Sequence, residues 1–151
     1  MLSDAPSPAV PPKRPLPNPP PESLPFWEGA RDHRLMIPRC NACGMAWFPP
    51  SRLCAHCLSS DSRWERASGR GTVFSFVVFH RVYNPYFADK VPYVVAVIEL
   101  EEGPRLLSNV VGIDPESVRC NMPVEVVFDD AGPEVSLPKF APVSDKSVPA
   151  G

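Results

Sequence analysis

The chain has 151 residues, 44% of them hydrophobic and 21% charged, with a formal net charge of -2 at pH 7. That length allows one ordinary domain, but 22 prolines leave part of it unable to pack. The slightly acidic balance speaks against a nucleic-acid binder, and the longest apolar run, Val91 to Leu100, is about half a membrane span and contains Pro92.

Charge is unevenly spread. From Gly29 to Gly71 seven arginines (Arg31, Arg34, Arg39, Arg52, Arg63, Arg66, Arg70) face Asp32, Asp61 and Glu65, whereas acids exceed bases from Thr72 onward. Met1 to Pro12 has no charged stretch followed by an apolar one, as a secretory leader would, so a soluble, cytoplasmic protein without membrane contact is expected.

Residues 1–23 carry Pro11-Pro12, Pro15, Pro17 and Pro19-Pro20-Pro21 and almost nothing to bury, the composition of a solvated, disordered polyproline arm or of one that lies along a partner. Residues 24–37 change character. Pro25 suits a first helical turn, and Phe26, Trp27, Ala30 and Leu35 fall near one face, predicting a short amphipathic helix over Leu24 to Leu35 and a lead-in to the next segment. Phe26 and Trp27 either pack on the chain's own body or contact a partner.

Residues 38–67 hold the most specific motif, Cys40-Asn41-Ala42-Cys43-Gly44 and Cys54-Ala55-His56-Cys57. Two C-x-x-C knuckles this close offer four thiolates to a tetrahedral ion. Structural zinc on Cys40, Cys43, Cys54 and Cys57 is the expected occupant, with iron and a pair of disulfides as alternatives; four sulfurs leave no position for a catalytic water. Gly44 suits a turn with positive φ, where the second knuckle has Leu58, and His56 is a solvent-facing spacer. Leu35 to Pro38 and Met45 to Phe48 are expected to pair as a ribbon hairpin, Trp47 and Phe48 shielding the ion and Arg63 to Arg66 adding a third strand. Cys120 reads as a small buried thiol.

Residues 68–139 are rich in β-formers. Strands are predicted over Gly71 to His80, Tyr93 to Glu99, Arg105 to Val111, Met122 to Phe128 and Glu134 to Pro138, with a helical turn opened by Asp114 and Pro115 between the third and fourth. Both faces of the first strand are apolar. Five strands in this order are those of an OB-fold, so the fold class is mainly β: a short N-terminal helix, a zinc ribbon, then a five-stranded OB-fold barrel and a tail over 140–151. The long first loop, His80 to Lys90, presents Arg81 and Lys90 as candidate phosphate-facing cations beside Tyr83 and Tyr86, or else docks on the ribbon or a subunit.

These motifs together resemble a known family, the acyl-CoA-associated OB-fold proteins with a rubredoxin-like zinc ribbon, long catalogued as a domain of unknown function. The resemblance runs through Phe26-Trp27-Glu28-Gly29, the two knuckles, Gly69-Arg70-Gly71-Thr72-Val73, Pro92 to Leu100, Gly103 to Gly112, Met122-Pro123-Val124-Glu125-Val126 and Leu137-Pro138-Lys139-Phe140, about three-quarters of the chain. It implies a non-catalytic accessory subunit that docks on a thiolase-superfamily enzyme (a thiolase, a condensing synthase or a side-chain aldolase of lipid or steroid metabolism) and helps to bind or channel an acyl-CoA. Such a family offers no catalytic residue to transfer; only the four cysteines carry over. Arg81, Lys90, Tyr83 and Tyr86 are then candidate CoA contacts, and Phe26 and Trp27 candidate partner contacts. Two other functions are weighed against it: a single-stranded nucleic-acid-binding protein, since OB-folds and zinc ribbons also serve there, and a stand-alone acyl-CoA hydrolase, for which no nucleophile and base are placed together.

Overall fold

The computed structural model describes residues 10–144. A 3-10 turn at Pro21–Ser23 leads into the helix α1 (Leu24–Arg31), with Pro25 in its first turn as expected. The helix is shorter than the sequence pattern suggests, because Asp32, His33 and Arg34 turn their N–H groups back onto the Glu28, Gly29 and Ala30 carbonyls and His33 takes φ 55°. Leu35 thus reaches the core from beyond the helix, fully buried.

The ribbon sheet has two strands, β1 (Met36–Cys40) and β2 (Ser62–Arg66), antiparallel and in unbroken register from Met36 opposite Arg66 to Cys40 opposite Ser62. This corrects the expected hairpin. Met45 to Phe48 meets β1 at a single bridge between Arg39 and Ala46, closed by the Cys40 N–H on the Met45 carbonyl and the Trp47 N–H on the Pro38 carbonyl, since Pro49 and Pro50 have no N–H with which to continue a ladder. The segment expected to come third is the main partner instead. Arg39 on β1 holds Glu65 on β2 and also donates to the Gly44 carbonyl at 2.8 Å, so one arginine ties the sheet to the first knuckle.

The barrel follows: β3 (Arg70–Phe79), β4 (Tyr93–Leu100), β5 (Arg105–Val110), β6 (Pro123–Asp130) and β7 (Ser136–Pro142). They close in the order β3–β4–β5–β7–β6, with β5 and β7 parallel and the other pairs antiparallel, the five-stranded OB-fold read from the sequence. β4 shows why the closure is stable: Val94, Ala96, Ile98 and Leu100 point inward and are buried, while Tyr93, Val95, Val97 and Glu99 alternate outward. The register of β3 against β4 shifts between Val73 and Ser75, and the extra residue, Phe74, is turned out under the Arg105 guanidinium at 3.7 Å. Between β5 and β6 the Asp114 carboxylate accepts the Glu116 N–H, capping the expected helical turn.

Helix, ribbon and barrel share one core. Phe26 of α1, Ile37 of β1 and Ala46 of the ribbon pack in the same cluster as Val73, Ile98, Val124 and Phe140 of the barrel. Phe140 is fully buried, so the last strand runs to Pro142 and the tail does not begin at residue 140; Pro138 and Pro142 disguise the strand's end in the sequence. Phe26 is 6% exposed, in contact with Trp27 (5.1 Å, edge to face) and Phe48 (5.2 Å), which removes it as a partner contact.

The proline-rich arm is also corrected where it is described. Residues 10–20 form no helix or strand, yet Arg14 is anchored: its Nη2 donates to Asp129 Oδ2 on β6 at 2.6 Å, and Lys139 on β7 reaches the same oxygen at 2.8 Å. Residues 1–9 of the expected arm, and 145–151 of the expected tail, lie outside the described residues.

Two outcomes follow for stability. Phe26→Ala should lower unfolding free energy by about 3–5 kcal/mol in urea titrations, as a buried aromatic truncation does, and a loss below about 1 kcal/mol would contradict the shared core. Hydrogen bonds from Arg14 and then Lys139 hold the Asp129 carboxyl down at about 2, below its ordinary 3.8. A depressed carboxyl contributes stability that is present above its unfolded value and is lost as pH falls toward 2. Asp129→Asn should therefore flatten the decline of melting temperature between about pH 4 and pH 2; an unchanged acid limb would contradict the pairing.

Candidate metal centre and ligand loop

The two knuckles are built alike. Cys40 N–H donates to the Met45 carbonyl and Cys54 N–H to the Ser59 carbonyl, both at 2.9 Å, while the Gly44 and Leu58 N–H groups close onto the Cys40 and Cys54 carbonyls, both at 3.0 Å. Gly44 has φ 77° and Leu58 φ 63°. The turn needs a left-handed residue after its second cysteine; glycine accepts that freely and leucine at a cost of about 1–2 kcal/mol.

The turns bring the sulfurs together. Cys40 and Cys57 Sγ are 3.6 Å apart, Cys43 and Cys54 Sγ 3.7 Å, and all four lie within 4.8 Å of one another. Four thiolates about 2.3 Å from a common centre at tetrahedral angles would be about 3.8 Å apart, so the donor set fits one metal ion. Its charge is needed. The Cys43 backbone N–H holds the Cys40 thiol down at about 6; at Cys57 the Ser59 N–H acts in the same sense, but hydrogen bonding with the Cys40 sulfur and burial prevail and push it up to about 12. Clustered thiolates repel, and a cation is what lets all four ionise together.

Cys40 and Cys54 are fully buried beneath Trp47, whose indole N–H donates to Ser51 Oγ at 3.1 Å, while Cys43 and Cys57 sit at the surface. Trp47 thus shields the sulfurs as expected. Phe48 does not: it turns to Phe26 and the shared core. His56 is exposed, a spacer. Cys120 is exposed as well, contrary to the buried thiol expected, because the turn after Val118 carries it out of the barrel.

The first barrel loop is ordered by its rings. Pro85–Phe87 forms a 3-10 turn capped by the Asn84 side chain. Lys90 lies 4.1 Å from the Tyr86 ring centroid, pairs with Asp89 at 2.9 Å and donates to the Tyr86 carbonyl, so its charge is spent within the loop. Arg81 stands over the exposed ring of Tyr83 at 5.5 Å and has no carboxylate partner among the described residues. With Val77, Phe79 and His80 these two line an open cleft of about 410 Å³. The four candidate ligand residues therefore separate into an outer pair, Arg81 and Tyr83, and an inner pair, Tyr86 and Lys90.

A second surface is formed by residues that the sequence reading did not single out. Phe74, Val77 and Leu107 are 46%, 55% and 70% exposed on the outside of β3 and β5, with Val95 and Val97 of β4 between them. Trp27, half-buried, shares with Leu107, Asn109 and Lys139 a cleft of about 290 Å³. The signal for this face was the double-sided apolar pattern of the first barrel strand.

A four-cysteine metal ribbon joined through one core to an OB-fold barrel defines a particular class of protein, and comparison with known proteins places the chain within it. Residues 27–63 match the family model described as the ChsH2 rubredoxin-like zinc ribbon domain, and residues 64–129 that of the ChsH2 C-terminal OB-fold domain. The chain belongs to this DUF35-type ChsH2 family. It is 41% identical over 117 residues to a 3-oxo-4,17-pregnadiene-20-carboxyl-CoA hydratase alpha subunit of Mycobacterium tuberculosis, covering 78% of this chain but 36% of that protein. The chain thus spans little more than a third of such hydratase subunits. It is 38% identical over 104 residues to a DUF35 domain-containing scaffold protein of Methanocaldococcus jannaschii, covering 68% of this chain and 73% of the relative. A solved structure described as an Ltp2-ChsH2(DUF35) aldolase superposes with a TM-score of 0.75 at 42% identity, covering 85% of this chain and 98% of that one.

Leu58 gives the test of the knuckle geometry. Since its side chain is 71% exposed, Leu58→Gly loses little packing and should raise stability of the metal-loaded chain by about 1 kcal/mol, seen as a higher melting temperature. A lower melting temperature would contradict the strain assigned to this turn.

Proposed function

We propose that the chain is a non-catalytic subunit or domain of an acyl-CoA enzyme, docking beside a thiolase-superfamily catalytic subunit and helping it to hold the CoA thioester. The observation that carries this is the outer face of the barrel, where Phe74, Val77 and Leu107 stand exposed around the half-buried Val95 and Val97. Apolar surface gathered on one sheet face suits a protein partner. It belongs to a chain that matches nearly the whole of a chain in a structure described as an Ltp2-ChsH2(DUF35) aldolase. The scaffold name carried by an archaeal relative agrees with a role in holding rather than reacting.

The chemistry of the described residues fits the same reading. The four cysteines hold zinc, whose closed sulfur shell stiffens the ribbon and leaves no open position for substrate. Outside that centre no described hydroxyl or thiol hydrogen-bonds a histidine, the arrangement a thioester hydrolase with a protein nucleophile uses. A CoA thioester must keep its acyl end dry beside a nucleophile while its nucleotide end stays at the surface. A second subunit meets both needs. Arg81 and Tyr83 suit the surface end, as a cation for phosphate and a ring for adenine, with Tyr86 and Lys90 behind them. Trp27 borders the docking face, and its place beside Leu107 makes it the remaining aromatic partner contact. The acyl group is a bulky steroid-like or lipid one, after the CoA substrate named in the mycobacterial hydratase subunit. The setting is the cytoplasm, where CoA chemistry is housed; no described helix is long and apolar enough to cross a membrane.

The test is reconstitution with the catalytic subunit that co-purifies with the tagged chain. The chain alone should leave acyl-CoA unchanged, the mixture should turn it over, and Leu107→Asp should weaken complex formation at least about tenfold without changing the melting temperature. Turnover by the chain alone, or unaltered assembly by the Leu107 variant, would contradict the proposal.

A further inference from the structure

The described part of the proline-rich arm has little backbone with which to hold itself in place. Pro11, Pro12, Pro15, Pro17, Pro19 and Pro20 lack N–H groups, so residues 10–20 cannot join a sheet by a regular ladder. A side chain fixes them instead. The Arg14 side chain is 25% exposed and its guanidinium donates to both oxygens of Asp129, at 2.6 and 3.5 Å, while Lys139 from β7 sets a second cation on the same carboxylate.

The other side of that guanidinium faces the first barrel loop. Its central carbon lies 5.9 Å from the Tyr86 ring centroid, and Lys90 approaches the same ring at 4.1 Å. Tyr86 begins a continuous row of rings: Tyr86 to Phe87 at 5.0 Å, Phe87 to Tyr93 at 5.6 Å, Tyr93 to Phe79 at 5.3 Å and Phe79 to Tyr83 at 6.0 Å. Arg81 covers the far end. Among the described residues, every hydrogen bond of Asn84 to Lys90 closes within that segment. Among the described residues nothing polar ties the segment to the barrel, so its position rests on ring packing and on Arg14, the one described cation that reaches it from another part of the chain.

We infer that the arm and the loop form one composite surface, in which Arg14, gripped by Asp129, is the positioning residue that holds the aromatic loop at Asn84 to Lys90 against the barrel. The arm lies outside both matched family domains, the first of which begins at residue 27. Through the row of rings the grip of Asp129 on Arg14 acts on Tyr83 and Arg81. That the surface receives an anionic, ring-bearing ligand rests on the CoA role proposed above; that Arg14 orders the loop does not.

Hydrogen exchange of the full metal-loaded chain, read by mass spectrometry, tests the inference without any ligand or partner. Arg14→Gln should speed exchange in peptides covering residues 84–92 by about three- to tenfold while β4 and the ribbon keep their protection. Asp129→Asn should do the same, because it releases the grip on Arg14, and Arg14→Lys, which keeps the ion pair, should restore most of the protection. Unchanged exchange in the loop of Arg14→Gln would overturn the inference, leaving Arg14 as an anchor for the arm alone. Faster exchange throughout the barrel would overturn it too, since Arg14 would then stabilise the fold generally. Because the measurement uses the chain by itself, failure to bind CoA or a catalytic subunit would count against the proposed function and leave this result standing.

Discussion

Repulsion among four sulfurs, and its relief by one cation, is the constraint on which the ribbon and its place in the molecule depend. The ribbon has only two short strands, too few to be stable as an isolated sheet, and its knuckles are loops whose N–H groups turn inward to their own carbonyls and sulfurs. With the ion bound, the thiolates become ligands and the loops become fixed corners. Arg39 extends that order outward by joining the first knuckle to Glu65 across the sheet.

The consequence reaches beyond the ribbon because its other side belongs to the common core. Ile37 and Ala46 sit in one cluster with Phe26 from the helix and Val73, Ile98 and Phe140 from the barrel. A core drawn from three pieces of chain leaves none of them free to drift relative to the others. It also makes the molecule rigid where an adaptor needs to be: the barrel's outer face, with Val77 and Leu107, is presented from a frame that the metal and the core fix together.

The sequence made the metal centre legible because ligand spacing is local: two C-x-x-C turns and Gly44 contain most of the geometry. The barrel was legible because β4 alternates cleanly and Asp114-Pro115 announces the turn between β5 and β6. What the sequence concealed was long-range or disguised. The true partner of β1 lies more than twenty residues away, past both knuckles, and a nearer apolar segment is the more natural reading, although Pro49 and Pro50 deny it a ladder. Prolines also hid the end of β7, since Pro138 and Pro142 stand in positions that the barrel tolerates. Arg14 gave no signal at all: a single cation among prolines has no period, and its meaning comes from Asp129, 115 residues away. Phe26 and Trp27 looked equivalent in sequence, but helical geometry sends the first into the core and leaves the second at its border.

A closed metal site, a packed scaffold and an exposed apolar face are the features that the proposed role, positioning another catalyst and its substrate, requires. The measurement that bears most directly on this account is metal content combined with hydrogen exchange before and after chelation. The account predicts one zinc ion per chain, loss of protection across residues 36–66 when the ion is removed, and retained protection in β4. A chain purified without metal, or a ribbon equally protected once the ion is gone, would contradict it.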